Sequence, residues 1–352
     1  MDETTFRILN TLWRHTGKAL SINELTSKIR ESYGTAHYPN IYHKLRTLAR
    51  EDIITLTKAG KSSIANLNFG NYFLVDSLAE MELRKKRELL RKSKTLQILL
   101  VDIEHSLRLI PLIESMSVTN PEKNMRLNRA ELLVLLHSAK KLNLSDEMVL
   151  VYKATQGLQN THNIKLDSLV LTTDEFIPLM TSEEINPLKE MLPTKIAFYS
   201  PQMFWARIAD ALRLGKINLE ASETNPAKIA EKDLMYNLAK FGYKEIGSEI
   251  SVGQNICIEY VIASILMRSD ARRIESVPVI LAKNMTNYRM LIFLSQKYGQ
   301  SGRLLGLLNV LHKVKPMIEA QLAIHILQAL DVREIKANQR SIEERMRLYS
   351  AI

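Results

Sequence analysis

Between Pro39 and Asn68 the hydrophobic period changes, and that change constrains the fold more than any other feature of the chain. Ile41, Leu45 and Leu48 recur at i, i+4 and i+7, the spacing of one helical face, with Pro39 in a first turn where its missing N–H costs nothing. Residues 53–57 and 63–68 then read as two β-strands. Lys58-Ala59-Gly60-Lys61 joins them, and Gly60 permits the positive φ that a tight hairpin needs. A helix that runs through Arg50-Glu51-Asp52 straight into a hairpin has to lay its apolar face on what precedes it.

Two short helices precede it. Phe6, Leu9, Leu12 and Trp13 form one stripe over residues 4–16, and Gly17 follows as a left-handed helix end. Ser21 with Glu24 three residues on is a capping box that opens a helix over residues 22–30, and Gly34 lies in the turn after it.

Three helices followed by a hairpin resemble the winged helix-turn-helix DNA-binding domains of prokaryotic transcription regulators, the MarR-like and ArsR-like groups in particular. The resemblance covers residues 4–68, and residues 42–54 look like the recognition helix leading into the wing. It implies double-stranded DNA as partner, with this helix in a major groove. Asn40, His43, Lys44, Arg46, Thr47 and Arg50 are the candidates for base edges and phosphates. Lys58 and Lys61 would meet flanking phosphates from the wing. Ala59-Gly60-Lys61-Ser62 is not a phosphate-binding P-loop, because Thr55 stands where the first glycine is needed and a strand, not a helix, follows.

The charge distribution agrees. The net charge is +10, and residues 1–98 carry 17 Lys plus Arg against 10 Asp plus Glu, so seven of the ten excess charges fall in the first quarter. That is the pattern of a nucleic-acid footprint. Seven of the eleven residues 84–94 are basic, and Lys85 and Lys86 are the candidates there for phosphate contact or for flanking a dimer. In the resembling regulators the helix after the wing commonly builds a homodimer. Leu74, Leu78, Leu89, Leu96, Leu100, Ile103 and Leu107 could serve that purpose or pack on the body.

Only 12 Gly and 10 Pro occur in 352 residues, so a mainly α chain with a small α/β part is expected and an all-β sandwich is not. Four units follow: residues 1–70, the winged helix-turn-helix; 71–119, a helical connector broken near Pro111; 120–222, a small α/β module; and 223–352, a C-terminal helical bundle. Asn120-Pro121-Glu122-Lys123-Asn124 is the polar break between the second and third. The module reads as a helix over 129–142, an apolar run over 148–152, strands over 164–172 and 195–199, and helices over 174–181 and 201–213. Residues 165–172 and 197–205 resemble fragments of a minimal nucleotidyltransferase, a domain that some archaeal winged-helix proteins carry. The family's Gly-Ser turn is missing, since Leu158 follows Gly157. Its Asp-x-Asp pair is reduced to Asp167-Ser168-Leu169. The resemblance therefore implies a relative that has lost its chemistry.

No motif points to catalysis, a cofactor or a metal. Cys257 is the single cysteine, no His-x-x-x-His occurs, and no Gly-x-Ser-x-Gly elbow is present. Arg268, Asp270, Arg272 and Arg273 cluster at one turn, as an anion-binding corner or a surface ion-pair group. The start lacks a secretory signal and the longest apolar runs are far short of a bilayer span, so a cytoplasmic location is expected. Together these features predict a DNA-binding regulator and not an enzyme, with C-terminal domains for oligomerisation or for sensing a protein or small-molecule effector. The alternatives are a nucleotidyltransferase-like enzyme or its inactive relative, and an interaction scaffold.

Overall fold

A computed structural model describes residues 1–60, 62–138, 144–220, 222–244, 252–268 and 270–352. The chain is mainly helical with two small sheets. The first sheet belongs to the N-terminal unit, whose order is α1 (Glu3–Arg14), β1 (Leu20–Ser21), α2 (Ile22–Tyr33), α3 (Tyr38–Arg50), β2 (Ile54–Ala59) and β3 (Ser62–Leu67). Asp2 caps α1 through the Thr5 N–H, and Ser21 with Glu24 forms the capping box of α2. Strand β3 lies between β1 and β2, antiparallel to both, in the register Ile54↔Leu67 to Ala59↔Ser62.

Two helices follow, α4 (Tyr72–Lys92) and α5 (Lys94–Leu107), separated where Ser93 caps the second. Next comes a four-stranded sheet of β4 (Ile113–Thr119), β5 (Arg129–Leu136), β6 (Lys165–Thr172) and β7 (Ile196–Tyr199), in the order β6-β5-β4-β7. The polar break at residues 120–124 is the β4–β5 connection, where α6 (Pro121–Arg126) opens from Asn120 in the left-handed region. Strands β5 and β6 run parallel, with α7 (Leu144–His162) crossing between them, and β4 is antiparallel to both β5 and β7. After β6 come α8 (Thr173–Thr181), α9 (Pro187–Met191) and a 3-10 turn at Leu192–Thr194. Helix α10 (Pro201–Leu214) follows β7.

Two expectations are corrected here. Residues 129–142 were to be helix, yet Arg129–Leu136 is strand β5. A parallel strand covered on both faces is an unbroken apolar run, and periodicity alone cannot tell such a run from a buried helix. The connector over 71–119 is expected to be helical apart from a break near Pro111, yet Ile113–Thr119 is strand β4. Its Ser115 and Ser117 alternate with Met116 and Val118, the period of a strand. The apolar run at 148–152 belongs to helix α7.

The last third is helical: α11 (Glu231–Lys240), α12 (Ile258–Arg268), α13 (Ala271–Ile274), α14 (Val277–Lys283), α15 (Tyr288–Lys297), α16 (Ser301–Val314), α17 (Ile318–Ala329) and α18 (Gln339–Leu348), with a 3-10 turn at Pro226–Lys228. It packs on the sheet through α15 against β6 and through α17 against α7. The charged C-terminal stretch is not a free tail. Ile335 donates its N–H to the Gly302 carbonyl, and the strap passes so close to α16 that a Cβ on Gly306 would fall 2.0 Å from the Ile335 carbonyl oxygen. The Arg268–Arg273 corner is an ion-pair group, with Arg268 2.6 Å and Arg273 2.5 Å from Glu231 and Asp270 capping α13. Cys257 is buried, and burial pushes its thiol well above the ordinary range. Among the described residues no helix is long and apolar enough to cross a membrane.

Candidate nucleic-acid interface

Helix α3 is held from one side only. Ile41, Leu45 and Leu48 are buried against the unit's core, while Asn40, His43, Arg46 and Arg50 are exposed and Thr47 is half-buried. At 3.6 residues per turn, His43 and Arg50 project directly opposite the core stripe. Arg46 and Thr47 lie to either side of them, and Asn40 sits at the edge. The C-terminal corner of the helix is fixed by side chains. Asp52 adopts a left-handed φ of 58°, and its carbonyl accepts from Asn68 Nδ2 at 2.9 Å and from Asn71 Nδ2 at 3.0 Å. The corner ties α3 to the hairpin and to the start of α4, so helix and hairpin are presented in one fixed relation.

Lys58 is exposed on β2 opposite Ser63, two residues from the hairpin tip. Lys61 lies outside the described residues. The register Ala59↔Ser62 leaves a two-residue turn in which Gly60 has a φ of 59°, the backbone a glycine supplies without strain.

Three of the ten candidates do not face solvent freely. Lys44 turns toward α1, where its Nζ is 2.6 Å from Asp2 Oδ2. Partial burial pushes the Asp2 carboxyl up, but Lys44 and the Thr5 N–H outweigh it and hold the group well below the usual carboxylate range. Lys85 is nearly buried, 3.2 Å from the Glu82 carboxylate. Lys86 donates to the Phe198 carbonyl at 2.8 Å and pairs with Glu104 at 3.2 Å, joining α4, α5 and β7. The basic stretch at 84–94 is therefore in large part a set of internal ties. Arg84 pairs with Glu3 and Glu88 and lies over the Phe6 ring at 4.4 Å, and Lys92 pairs with Glu122 at 2.7 Å. Composition cannot distinguish a cation facing solvent from one facing a carboxylate on another element.

The connector's apolar row has a similar fate. Leu74, Leu78, Leu89, Leu96, Leu100, Ile103 and Leu107 are all buried within the chain, so they pack on the body and are not open to a second copy.

The sequence reading missed two residues on the exposed side of α3. Tyr38 and Tyr42 are 43% and 39% exposed, their rings stack at 6.0 Å and 14°, and the Arg46 guanidinium lies 5.9 Å from the Tyr42 ring. Their spacing of four residues was the available signal. Such a ladder of two phenols and a guanidinium offers flat faces and donors beside the cationic centre of the helix.

The carboxylates of the second sheet are engaged. Asp167 is buried and held by Arg129, with Lys165 3.4 Å away. Its neighbour across the parallel pair, Glu131, accepts from Thr119 and pairs with Lys297 at 2.9 Å. Among the described residues no group of three or more His, Cys, Asp or Glu side chains is arranged to hold a metal ion. Comparison of the chain with family models, curated proteins and solved structures finds no match.

Proposed function

We propose that the chain is a DNA-binding transcription regulator whose N-terminal unit is a winged helix-turn-helix. In this reading α3 enters the major groove of double-stranded DNA and the β2–β3 hairpin is the wing. The observation that carries it is the asymmetry of α3. One face supplies the core through Ile41, Leu45 and Leu48, and the other leaves Asn40, His43, Arg46 and Arg50 exposed beside Tyr38 and Tyr42. The element order α1-β1-α2-α3-β2-β3 and the cation on the hairpin support it.

The mechanism divides the side chains by reach. Arg46, Arg50 and Lys58 neutralise phosphates and set the position of the unit on the duplex. Asn40, His43 and Thr47 carry donors and acceptors suited to base edges. Thr47 already donates to the His43 carbonyl at 3.3 Å, so its hydroxyl is free mainly as an acceptor. Competition binding on a selected site and on random duplex tests the division. Replacing His43 or Asn40 by Ala is expected to cost about 1–3 kcal/mol on the selected site and almost nothing on random duplex. Equal losses on both duplexes would make α3 a phosphate clamp, and no loss on either would remove it from the interface.

A further inference from the structure

A cavity of about 580 Å³ lies between the N-terminal unit and the body of the protein. Phe6, Asn10 and Arg14 of α1 form one wall with Tyr33 of α2. The opposite wall comes from α4, α6 and the segment before β7. Its volume is that of small-molecule sites in general.

The charge around it does not balance. Lys85 and Lys195 both line the cavity, and both reach the same carboxylate, Glu82, at 3.2 Å and 2.7 Å. Glu82 and Lys195 are 0% exposed, and the second oxygen of Glu82 is taken by the Ala197 N–H at 2.8 Å. Glu82 thus has Lys85 on its cavity side and Lys195 on its buried side, where the Lys195 Nζ lies 4.1 Å from the Trp205 ring and 4.4 Å from the Phe204 ring. Burial, together with the Lys85 charge, pulls Lys195 down to about 7 despite Glu82. On the rim, Glu88 and Glu122 are already paired, with Arg84 and Lys92. The side chains of Arg14 and Arg126 are exposed at the cavity and make no hydrogen bond or ion pair among the described residues. One further polar group is unsatisfied. Asn10 is 4% exposed, its Nδ2 donates to the Tyr33 hydroxyl at 2.6 Å, and its Oδ1 is buried with no donor. A buried acceptor left unpaired costs roughly 1–3 kcal/mol.

We propose that this cavity binds a small phosphorylated metabolite of mononucleotide size. Its phosphate would sit against Arg14, Arg126 and Lys85, its ring along Phe6 and Leu89, and a ring or sugar N–H or O–H would donate to Asn10 Oδ1. The walls belong to both the N-terminal unit and the body, so the ligand ties the two together. This site does not depend on DNA binding.

The test is calorimetric titration of the full chain, at fixed ionic strength, with the four common nucleoside 5′-monophosphates, ribose 5-phosphate and inorganic phosphate. At least one of the sugar phosphates is expected to bind ten times or more tightly than inorganic phosphate. Arg14→Ala combined with Arg126→Ala should weaken that binding at least tenfold. Both side chains are exposed and unbonded, so the unliganded variant should melt at the wild-type temperature. Asn10→Leu should weaken the sugar phosphate while leaving inorganic phosphate unchanged. The proposal is overturned if no sugar phosphate exceeds inorganic phosphate, or if the double arginine variant binds as the wild type does.

Discussion

His43 and Leu45 are two residues apart on α3 and answer to different physics. Leu45 is wholly buried, so Leu45→Ala should leave a cavity and cost about 2–5 kcal/mol in a denaturant melt. His43 is exposed, and His43→Ala should leave the same melt unchanged within about 0.5 kcal/mol. Lys44, between them, is set apart by its partner. Its tie to the half-exposed Asp2 is a surface pair, so Lys44→Ala should cost less than about 1 kcal/mol and leave the salt dependence of DNA binding as it was. The helical period at Ile41, Leu45 and Leu48 was enough to separate core from surface on this helix. It could not separate Lys44 from Arg46, because the difference lies in α1, more than forty residues earlier. Tyr38 and Tyr42 were legible by spacing, but an aromatic residue near an apolar stripe reads as core until the backbone shows which way it points.

Helix α4 shows at the scale of an element what one residue cannot. Its cations were visible in the sequence as a run, and their partners Glu3, Glu104 and Glu122 were not, since those sit on other elements. The strands divide in the same way. The β2–β3 hairpin announced itself through Gly60 and local pairing, whereas β4 and β5 are almost wholly buried and each also pairs with a strand distant in the chain, β7 and β6. The Glu82, Lys85 and Lys195 group between α4 and β7 gives the protein a pH signature. Lys195 has a folded pKa of about 7, below its unfolded value of roughly 10.4, so the unfolded chain holds the extra proton between those values. Its contribution therefore makes stability rise as pH increases from about 7 towards 10. Lys195→Met should flatten that rise. Chemical denaturation of both forms at pH 7 and pH 9 checks it, and an equal gain in both would show that the triad does not titrate as described.

Across the whole molecule, the N-terminal unit is not a bead on a tether. The Trp13 and Trp205 rings meet edge to face at 4.6 Å, Trp13 Nε1 donates to the Leu192 carbonyl at 3.2 Å, and the Leu219 N–H reaches the Thr16 carbonyl at 3.2 Å. Trp13→Ala should cost about 3–5 kcal/mol and lower the melting transition of the body together with that of the N-terminal unit. A ligand or partner acting on the body would thereby bear on the position of α3. The measurement that tests DNA binding by this face most directly is the salt dependence of duplex affinity, read by fluorescence anisotropy for the wild type and for Arg46→Ala combined with Arg50→Ala. The logarithm of the binding constant should fall linearly with the logarithm of salt, and the double variant should reduce the slope by about two units while melting as the wild type does. An unchanged slope in the double variant, or no duplex binding by the wild type at low salt, would contradict it.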